Sequence, residues 1–183
     1  MSEHRAAVRV RAATPDDATA IGRAHVAAWR SAYVGQLPQA LLDSLDPAQS
    51  AEGWRRLVDR DDGDGGGGAL LVAEIDGAVV GFASLGAHRD GGREGVLYAV
   101  NVHPDSWGLG AGAALLDAVE TALAKRGFER ATLWVLPGNQ RARRFYERNG
   151  WLSDEVLQHE VLGGVLVEEL RYSIALAGPQ APE

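Results

Sequence analysis

The sequence contains no cysteine, a single lysine and no hydrophobic run long enough to cross a membrane. The missing cysteines exclude disulfides, thiolate metal ligands and a cysteine nucleophile. A membrane span needs about 18 consecutive apolar residues, and the polar segment 1–11 lacks the apolar core of a signal peptide. We therefore expect a cytoplasmic protein without a membrane partner or a metal site.

Positive charge is scarce as well. Lysine and arginine total 18 against 25 acidic residues, so the formal net charge is −7. Because neutralising phosphates needs a basic surface, nucleic acid is not an expected partner. The chain of 183 residues is 46% hydrophobic, which is enough for one domain with a sizeable core. We predict a single domain over 1–183, with its core over about 8–176.

The first third of the chain alternates strand and helix signals. Residues 7–11 have the alternation of a half-buried strand. Thr14, followed by proline and two acids, is typical of a helix start. A weaker helical stretch covers 39–58, with breaks expected near Asp46-Pro47 and Gly53.

The rest of the chain predicts hairpins on either side of a strand–helix–strand–helix passage. Asp76-Gly77, between two apolar alternating runs, is a strong hairpin signal, and Gly163-Gly164 marks a second antiparallel turn. The other predicted elements are strands at 96–102, 131–136, 151–152, 159–162 and 165–176, helices at 113–126 and 140–149, and loops at 61–68, 88–95 and beyond 178. This order predicts an α/β (α+β hybrid) fold, a mixed sheet with helices packed on it.

Three alternating glycines open the central helix. Gly108, Gly110 and Gly112 remove side chains from its first turn, so unpaired backbone N–H groups can approach a ligand. The helix dipole adds roughly half a positive charge at that end, which suits a phosphate. Close packing of helix on strand is the alternative explanation of the same glycines.

Other nucleotide-binding motifs fit this turn less well. A Walker A loop is excluded because its lysine and its serine or threonine are absent. The spacing Gly108-x-Gly110-x-x-Ala113 matches a dinucleotide fingerprint, but five residues separate it from the strand. No acid ends the next strand to hold a ribose. An NAD-dependent oxidoreductase is therefore the weaker alternative.

A second motif lies about 30 residues further on, N-x-x-A-x-x-F-Y-x-x-x-G-W over residues 139–151. Together with 102–112 it resembles the signatures of the GCN5-related N-acetyltransferase (GNAT) superfamily, and the resemblance covers roughly 8–176. It implies a mostly antiparallel central sheet, acetyl-CoA as cofactor and acetyl transfer to an amine. The cofactor-binding residues that it implies are Val100, Asn101, Val102, Trp107, Gly108, Leu109, Gly110, Ala111, Gly112 and Asn139.

Tyr146 matches the tyrosine that protonates the CoA thiolate in this family. A phenol has a pKa near 10 and a thiol one near 8.5, so a phenol beside the sulfur can hydrogen-bond and protonate it. The resemblance also implies an oxyanion donor among the N–H groups of 100–102. Packing in the core is the alternative for Tyr146, and an ordinary helix N-cap is the alternative for Asn139.

The sequence departs from the family pattern at three positions. Trp107 stands where the pyrophosphate loop usually begins with Arg or Gln, so backbone amides must carry the binding there. Enzymes of this kind often have Glu at the positions of Val96 or Trp134. The general base therefore stays open between Glu94, His103 and a water chain, and His103 is expected in the loop scaffold. These departures motivate a second hypothesis, a catalytically silent acetyl-CoA-binding regulatory module.

The acceptor pocket is expected between the first two helices and the loop 86–95. Tyr33 and Trp29 are its predicted substrate-binding residues, with core packing favoured for Trp29. No segment identifies the acceptor, which is a small-molecule amine or a peptide, and a homodimer is the common default. Either cofactor binding or a solvated basic face accounts for three arginines of the last helix, Arg141, Arg143 and Arg144.

Overall fold

The computed structural model describes residues 7–59, 68–88 and 91–177. The predicted loop at 61–68, except for Gly68, and the tail beyond 178 lie outside these residues. Within the described residues, no helix is both long and apolar enough to cross a membrane. Their elements are β1 (Val8–Ala12), α1 (Ala18–Ala32), α2 (Gln39–Ser44), α3 (Pro47–Val58), β2 (Ala69–Ile75), β3 (Ala78–Ala87), β4 (Glu94–Val102), α4 (Ala111–Lys125), β5 (Arg130–Val135), α5 (Gln140–Arg148), β6 (Leu152–Leu162) and β7 (Val165–Ala175).

All seven strands join one sheet in the order β1-β2-β3-β4-β5-β7-β6. Only β4 and β5 run parallel, and every other neighbouring pair is antiparallel. This confirms the mixed, mostly antiparallel sheet predicted from the sequence. The single parallel pair follows from the strand–helix–strand passage, since a parallel neighbour needs a crossover connection.

Helices cover both faces of the sheet. Strand residues alternate between faces, so Ala73 and Leu85 pack against α4 while Val72 and Phe82 pack against α1. A smaller cluster joins the end of α1 to α2 and β5 through Leu37, Leu42 and Leu136. Burial of each large apolar side chain contributes about 1.5–3 kcal/mol, which holds α1 and α4 firmly against the sheet.

The predicted helix start at Thr14 is confirmed. One 3-10 turn, Pro15–Asp17, leads into α1. The Asp17 carboxylate accepts hydrogen bonds from the Thr14 backbone N–H (2.8 Å) and from both terminal nitrogens of Arg11 (2.7 and 2.9 Å). Arg11 also binds Glu74 of β2. The Arg11 guanidinium lowers the pKa of Asp17 to about 2.

Two predicted boundaries were wrong and one was confirmed. The helical stretch does break at Asp46-Pro47, where the Asp46 carboxylate accepts from the Ala48 N–H (2.9 Å). Gly53 does not interrupt α3, because the roughly 1 kcal/mol cost of a helical glycine is small beside packing of the helix on α1. The two short strands predicted at 151–152 and 159–162 form one long strand, β6.

Candidate active site

The sheet splits where β4 and β5 part. Their pairing ends at Val96 and Thr132, although β4 continues to Val102 and β5 to Val135. A cleft of about 450 Å³ opens along the gap. Its walls are the end of α1, the ends of both strands, the glycine-rich turn before α4, the helix α5 and one residue of β7. The structure thus brings most of the predicted cofactor residues together.

The glycine-rich turn presents a row of free backbone donors. Gly108 and Gly110 have φ of +80° and +95°, which only glycine adopts readily. Among the described residues, the N–H groups from Gly108 to Ala113 have no hydrogen-bond partner. Alternating left-handed and right-handed backbone directs successive N–H groups into a concave anion site. At Gly112 the alternative explanation, close packing, holds too. A Cβ at this position would lie 3.0 Å from the Phe145 ring, so the small residue lets α5 pack closely on the turn.

A second set of backbone donors lies on β4. The His103 N–H donates to the Val80 carbonyl (2.7 Å), and Val102 is the register partner of Gly81. Val102 therefore belongs to a non-hydrogen-bonded pair, and by alternation so does Val100. Their N–H groups face away from β3, toward the gap that β5 leaves.

Trp107 carries a cation on its ring. The Arg141 guanidinium of α5 lies 3.2 Å above the ring centroid, a cation–π arrangement. The indole N–H of Trp107 donates to the Val102 carbonyl (2.7 Å), which fixes the ring in the turn. Position 107 itself thus carries no cation, and α5 brings the Arg141 guanidinium beside it in the cleft.

Tyr146 lies in the same cleft. It is 9% exposed, and it packs near Phe145, Trp151 and Tyr172. Burial, and after it the neighbouring Tyr33, raises the pKa of Tyr146 above its ordinary value. Its hydroxyl has no hydrogen-bond partner within the described ranges. The hydroxyl oxygen is also not fully buried. The hydroxyl is therefore open to the cleft and to a ligand.

Other polar residues of α5 have structural partners. Asn139 lines the cleft and also caps α5, its Oδ1 accepting from the Ala142 N–H (3.1 Å). Arg143 donates to the Tyr172 hydroxyl and to the Pro137 carbonyl (3.1 Å each), so it is committed to the fold. Arg144 does not line the cleft, whereas Arg148, which the sequence analysis did not single out, does.

Of the two residues predicted for the acceptor pocket, one lies in the cleft. Tyr33, at the end of α1, lines it, whereas Trp29 packs edge-on between His25 and Tyr33. The described part of 86–95 and α2 contribute no lining residue, so the predicted pocket walls are corrected to α1 and the strand ends.

Neither named candidate for the general base lies in the cleft. Glu94 starts β4, inside the strand rather than before it, and pairs with Arg130 (3.9 Å). Six residues of extended strand place it roughly 20 Å from Val100. The His103 Nδ1 accepts from the Asp105 N–H (3.3 Å), so the ring belongs to the loop scaffold as expected.

One carboxylate that the sequence analysis missed does line the cleft. Glu169 of β7 is 9% exposed, and its Oε2 accepts from the Gln158 side chain of β6 (2.9 Å). Burial, and after it the charge of Glu169, raises the pKa of Tyr33 to about 12. No motif surrounds Glu169 in the sequence. The only local signal is its place in an alternating strand, which does not identify a site.

Comparison with known proteins agrees with this geometry. Residues 27–151 match the profile of the family described as "Acetyltransferase (GNAT) family". The uncharacterized N-acetyltransferase YuaI of Bacillus subtilis is 31% identical over 134 residues, 72% of this chain and 73% of that protein. A probable N-acetyltransferase of Mycobacterium tuberculosis is 29% identical over 178 residues, 94% and 96% of the two chains.

Solved structures match the fold. The PaiA N-acetyltransferase of Thermoplasma acidophilum, in complex with coenzyme A, has a TM-score of 0.74 at 19% identity, over 92% of this chain and 99% of that one. YncA of Salmonella typhimurium, with its cofactor acetyl-CoA, has a TM-score of 0.67 at 21% identity, over 97% and 98%. The match to the family profile covers more than half of the sequence, and the chain therefore belongs to the GNAT family of acetyltransferases.

Proposed function

We propose that this protein transfers the acetyl group of acetyl-CoA to a primary amine by direct attack, with Tyr146 donating a proton to the CoA sulfur. Family membership supports acetyl-CoA as the cosubstrate, and the relatives crystallised with coenzyme A and acetyl-CoA support it too. The observation that carries the proposal is a cleft with the glycine-rich turn in one wall and the Tyr146 phenol in another. Among the described residues, neither the six N–H groups of that turn nor the phenol has a hydrogen-bond partner.

The glycine-rich turn is proposed to bind the pyrophosphate. Its free N–H groups lie at the positive end of the α4 dipole, where an anion is stabilised. Arg141 and Arg148 line the same cleft and add positive charge to a chain with net charge −7. The N–H groups of Val100 and Val102 are proposed to bind the acetyl carbonyl, where negative charge develops during attack.

Tyr146 is proposed to act on the leaving group. Because its pKa is raised, the phenol stays protonated at neutral pH and can donate a hydrogen bond to the sulfur. Complete transfer of the phenolic proton to a thiolate of pKa about 8.5 is uphill by at least about 2 kcal/mol. Burial of the thiolate raises its pKa and so narrows the pKa difference between phenol and thiol. The C–N bond forms, the C–S bond breaks, the sulfur takes the phenolic proton, and a proton from the attacking nitrogen restores the phenol.

Two observations favour the enzyme over the silent binding module. Position 107 carries no cation, but the Arg141 guanidinium lies 3.2 Å from the Trp107 ring centroid. Positions 96 and 134 carry no carboxylate, but Glu169 lines the cleft from β7. The NAD alternative conflicts with membership of the acetyltransferase family.

The test compares Tyr146→Phe with the wild type in an assay of CoA thiol release over a panel of amines. We expect kcat to fall by about 10²-fold or more, as for loss of a positioned proton donor. The Kd for acetyl-CoA, measured by calorimetry, should change little because the glycine turn is intact. Tyr98→Phe is the matched control, since its hydroxyl bonds to the Ala87 carbonyl outside the cleft. An unchanged kcat in Tyr146→Phe would place the proton donor elsewhere.

A further inference from the structure

We propose that Glu169 binds the ammonium group of the acceptor and takes its proton, so that the protein selects acceptors that are cationic aliphatic amines. This inference rests on the acetyl transfer proposed above and assigns its second substrate. Three features carry it: the burial of Glu169, its lack of an ion-pair partner among the described residues, and its position in the wall of the cleft.

The first feature is a buried charge without a counter-ion. Glu169 is 9% exposed, yet no arginine, lysine or histidine of the described ranges forms an ion pair with it. Within the part of the chain that the structure describes, its one hydrogen bond is the one that Oε2 accepts from Gln158, and Oε1 has no donor there. A buried carboxylate is costly unless a cation compensates it. A ligand ammonium that enters the cleft would supply that cation.

The acidic and the basic groups of the cleft come from different elements. Arg141 and Arg148 belong to one face of α5, near the turn that is proposed to hold the pyrophosphate. Glu169 belongs to β7, and its charge acts on Tyr33 at the end of α1, whose pKa is raised first by burial and then by that charge. The titratable groups that line the cleft with Glu169 are Tyr33 at the end of α1 and Arg141, Tyr146 and Arg148 of α5, and its hydrogen-bond partner is Gln158 of β6. The other side chains with polar atoms in the lining are Asn101, Ser106, Trp107, Trp134, Asn139 and Asn149.

An aliphatic ammonium must lose a proton before it can attack. With a pKa near 10.4, only about one molecule in a thousand is neutral at pH 7.4. In the proposed step the ammonium gives one proton to a Glu169 carboxylate oxygen. The neutral nitrogen then attacks the acetyl carbon, the C–S bond breaks, and the sulfur is protonated through Tyr146. Glu169 afterwards releases its proton to solvent, so the reaction yields amide, CoA thiol and one proton.

The experiment compares Glu169→Gln with the wild type on two classes of acceptor. Aliphatic amines such as benzylamine are cations at neutral pH, whereas aromatic amines such as aniline are neutral and need neither a counter-ion nor a base. We expect Glu169→Gln to lower kcat/KM for aliphatic amines by about 10²- to 10⁴-fold and to leave the slower turnover of aromatic amines within a few-fold. Raising the pH should restore much of the aliphatic rate by supplying neutral amine.

Glu168→Gln is the matched control. Glu168 is the preceding residue of β7, its side chain is about half exposed, and its neighbour is His159 outside the cleft. This variant should behave as wild type with both classes of amine. Glutamine at 169 can still accept from Gln158, so thermal unfolding and acetyl-CoA binding should be preserved in both variants.

The outcomes separate this inference from acetyl transfer itself. If Glu169→Gln acetylates aliphatic amines as fast as the wild type, the role of Glu169 is refuted and acetyl transfer stands. If the wild type binds acetyl-CoA but releases no thiol with any amine, the proposed function fails. In that case calorimetry of benzylamine with the CoA-bound protein still decides the ammonium site. Binding that Glu169→Gln abolishes supports the site, and equal or absent binding in both proteins overturns it.

Discussion

The cation held on the Trp107 ring gives the most direct test of cofactor binding. Arg141 is exposed at the mouth of the cleft, with its guanidinium 3.2 Å above the ring centroid. A hydrogen bond to a charged group contributes about 1.5–3 kcal/mol, and solvent screening reduces this at an exposed site. We take about 1–2 kcal/mol, so Arg141→Gln should raise the Kd for acetyl-CoA by about 5- to 30-fold.

The assay is isothermal calorimetry with acetyl-CoA at two salt concentrations. Wild-type affinity should fall more steeply with salt than that of Arg141→Gln, because the variant has lost one positive charge that we propose contacts the pyrophosphate. Arg144→Gln is the matched control, since it removes the same charge from the same helix outside the cleft. A Kd for Arg141→Gln within about twofold of wild type, or an equal loss in Arg144→Gln, would refute a specific contact and leave only general charge.

A double-mutant cycle tests whether Trp107 positions the arginine. Trp107→Ala should weaken acetyl-CoA binding, and the double variant should lose less than the sum of the two single losses. The cation–π contact predicts a coupling of about 0.5–1 kcal/mol. Strict additivity would mean that the ring and the guanidinium act independently.

Two further predictions concern the stability of the helical layer on one face of the sheet. A Cβ at Gly22 would lie 2.7 Å from a backbone nitrogen of α3, so Gly22→Ala should lower the free energy of unfolding in urea by about 1–3 kcal/mol. A Cβ at Gly53 would point into open space, so Gly53→Ala should raise the free energy of unfolding by about 0.5–1 kcal/mol. If Gly22→Ala left the free energy of unfolding unchanged, the close approach of α1 and α3 would be contradicted. Burial lowers the pKa of His25 from 6.5 to about 4. Between these two pH values the imidazole is protonated in the unfolded chain but neutral in the folded protein. The free energy of unfolding should therefore fall by roughly 2–3 kcal/mol as the pH drops from about 6.5 to 4. His25→Gln should remove this part of the pH dependence, measured by urea unfolding across that range, and an unchanged slope would assign it to other groups.

The parts of the fold that follow from short-range pattern were predictable. The Asp76-Gly77 hairpin depends on positive φ at both turn residues, 51° and 79°, which this pair tolerates. The start of the first helix at Thr14 depends on local capping. Gly53 was misjudged because intrinsic propensity is outweighed by tertiary packing, which the local sequence does not contain.

The residues of the candidate site also fall into two groups, those that local sequence could predict and those that it could not. The glycine turn and Tyr146 lie in two contiguous motifs, and the chemistry of each can be argued from neighbouring residues along the chain. The Trp107–Arg141 pair joins residues 34 positions apart, and Glu169 reaches the cleft only because β7 lies beside β5 in the sheet. Trp29 was predicted to bind the acceptor and Glu94 was a candidate general base, both from their place in the chain. That place did not reveal that Trp29 packs against other aromatic rings or that Glu94 starts β4, far from the cleft.

The sequence by itself determined the strand–helix–strand–helix passage, the glycine-rich turn and the candidate proton donor, since each depends on contacts between residues close together in the chain. Only the tertiary structure decided which distant charges meet in the cleft. Strand order brings Glu169 into the wall of the cleft, and packing of α5 on the turn lays Arg141 across Trp107. Such pairings depend on how the sheet assembles, and no local spacing encodes them.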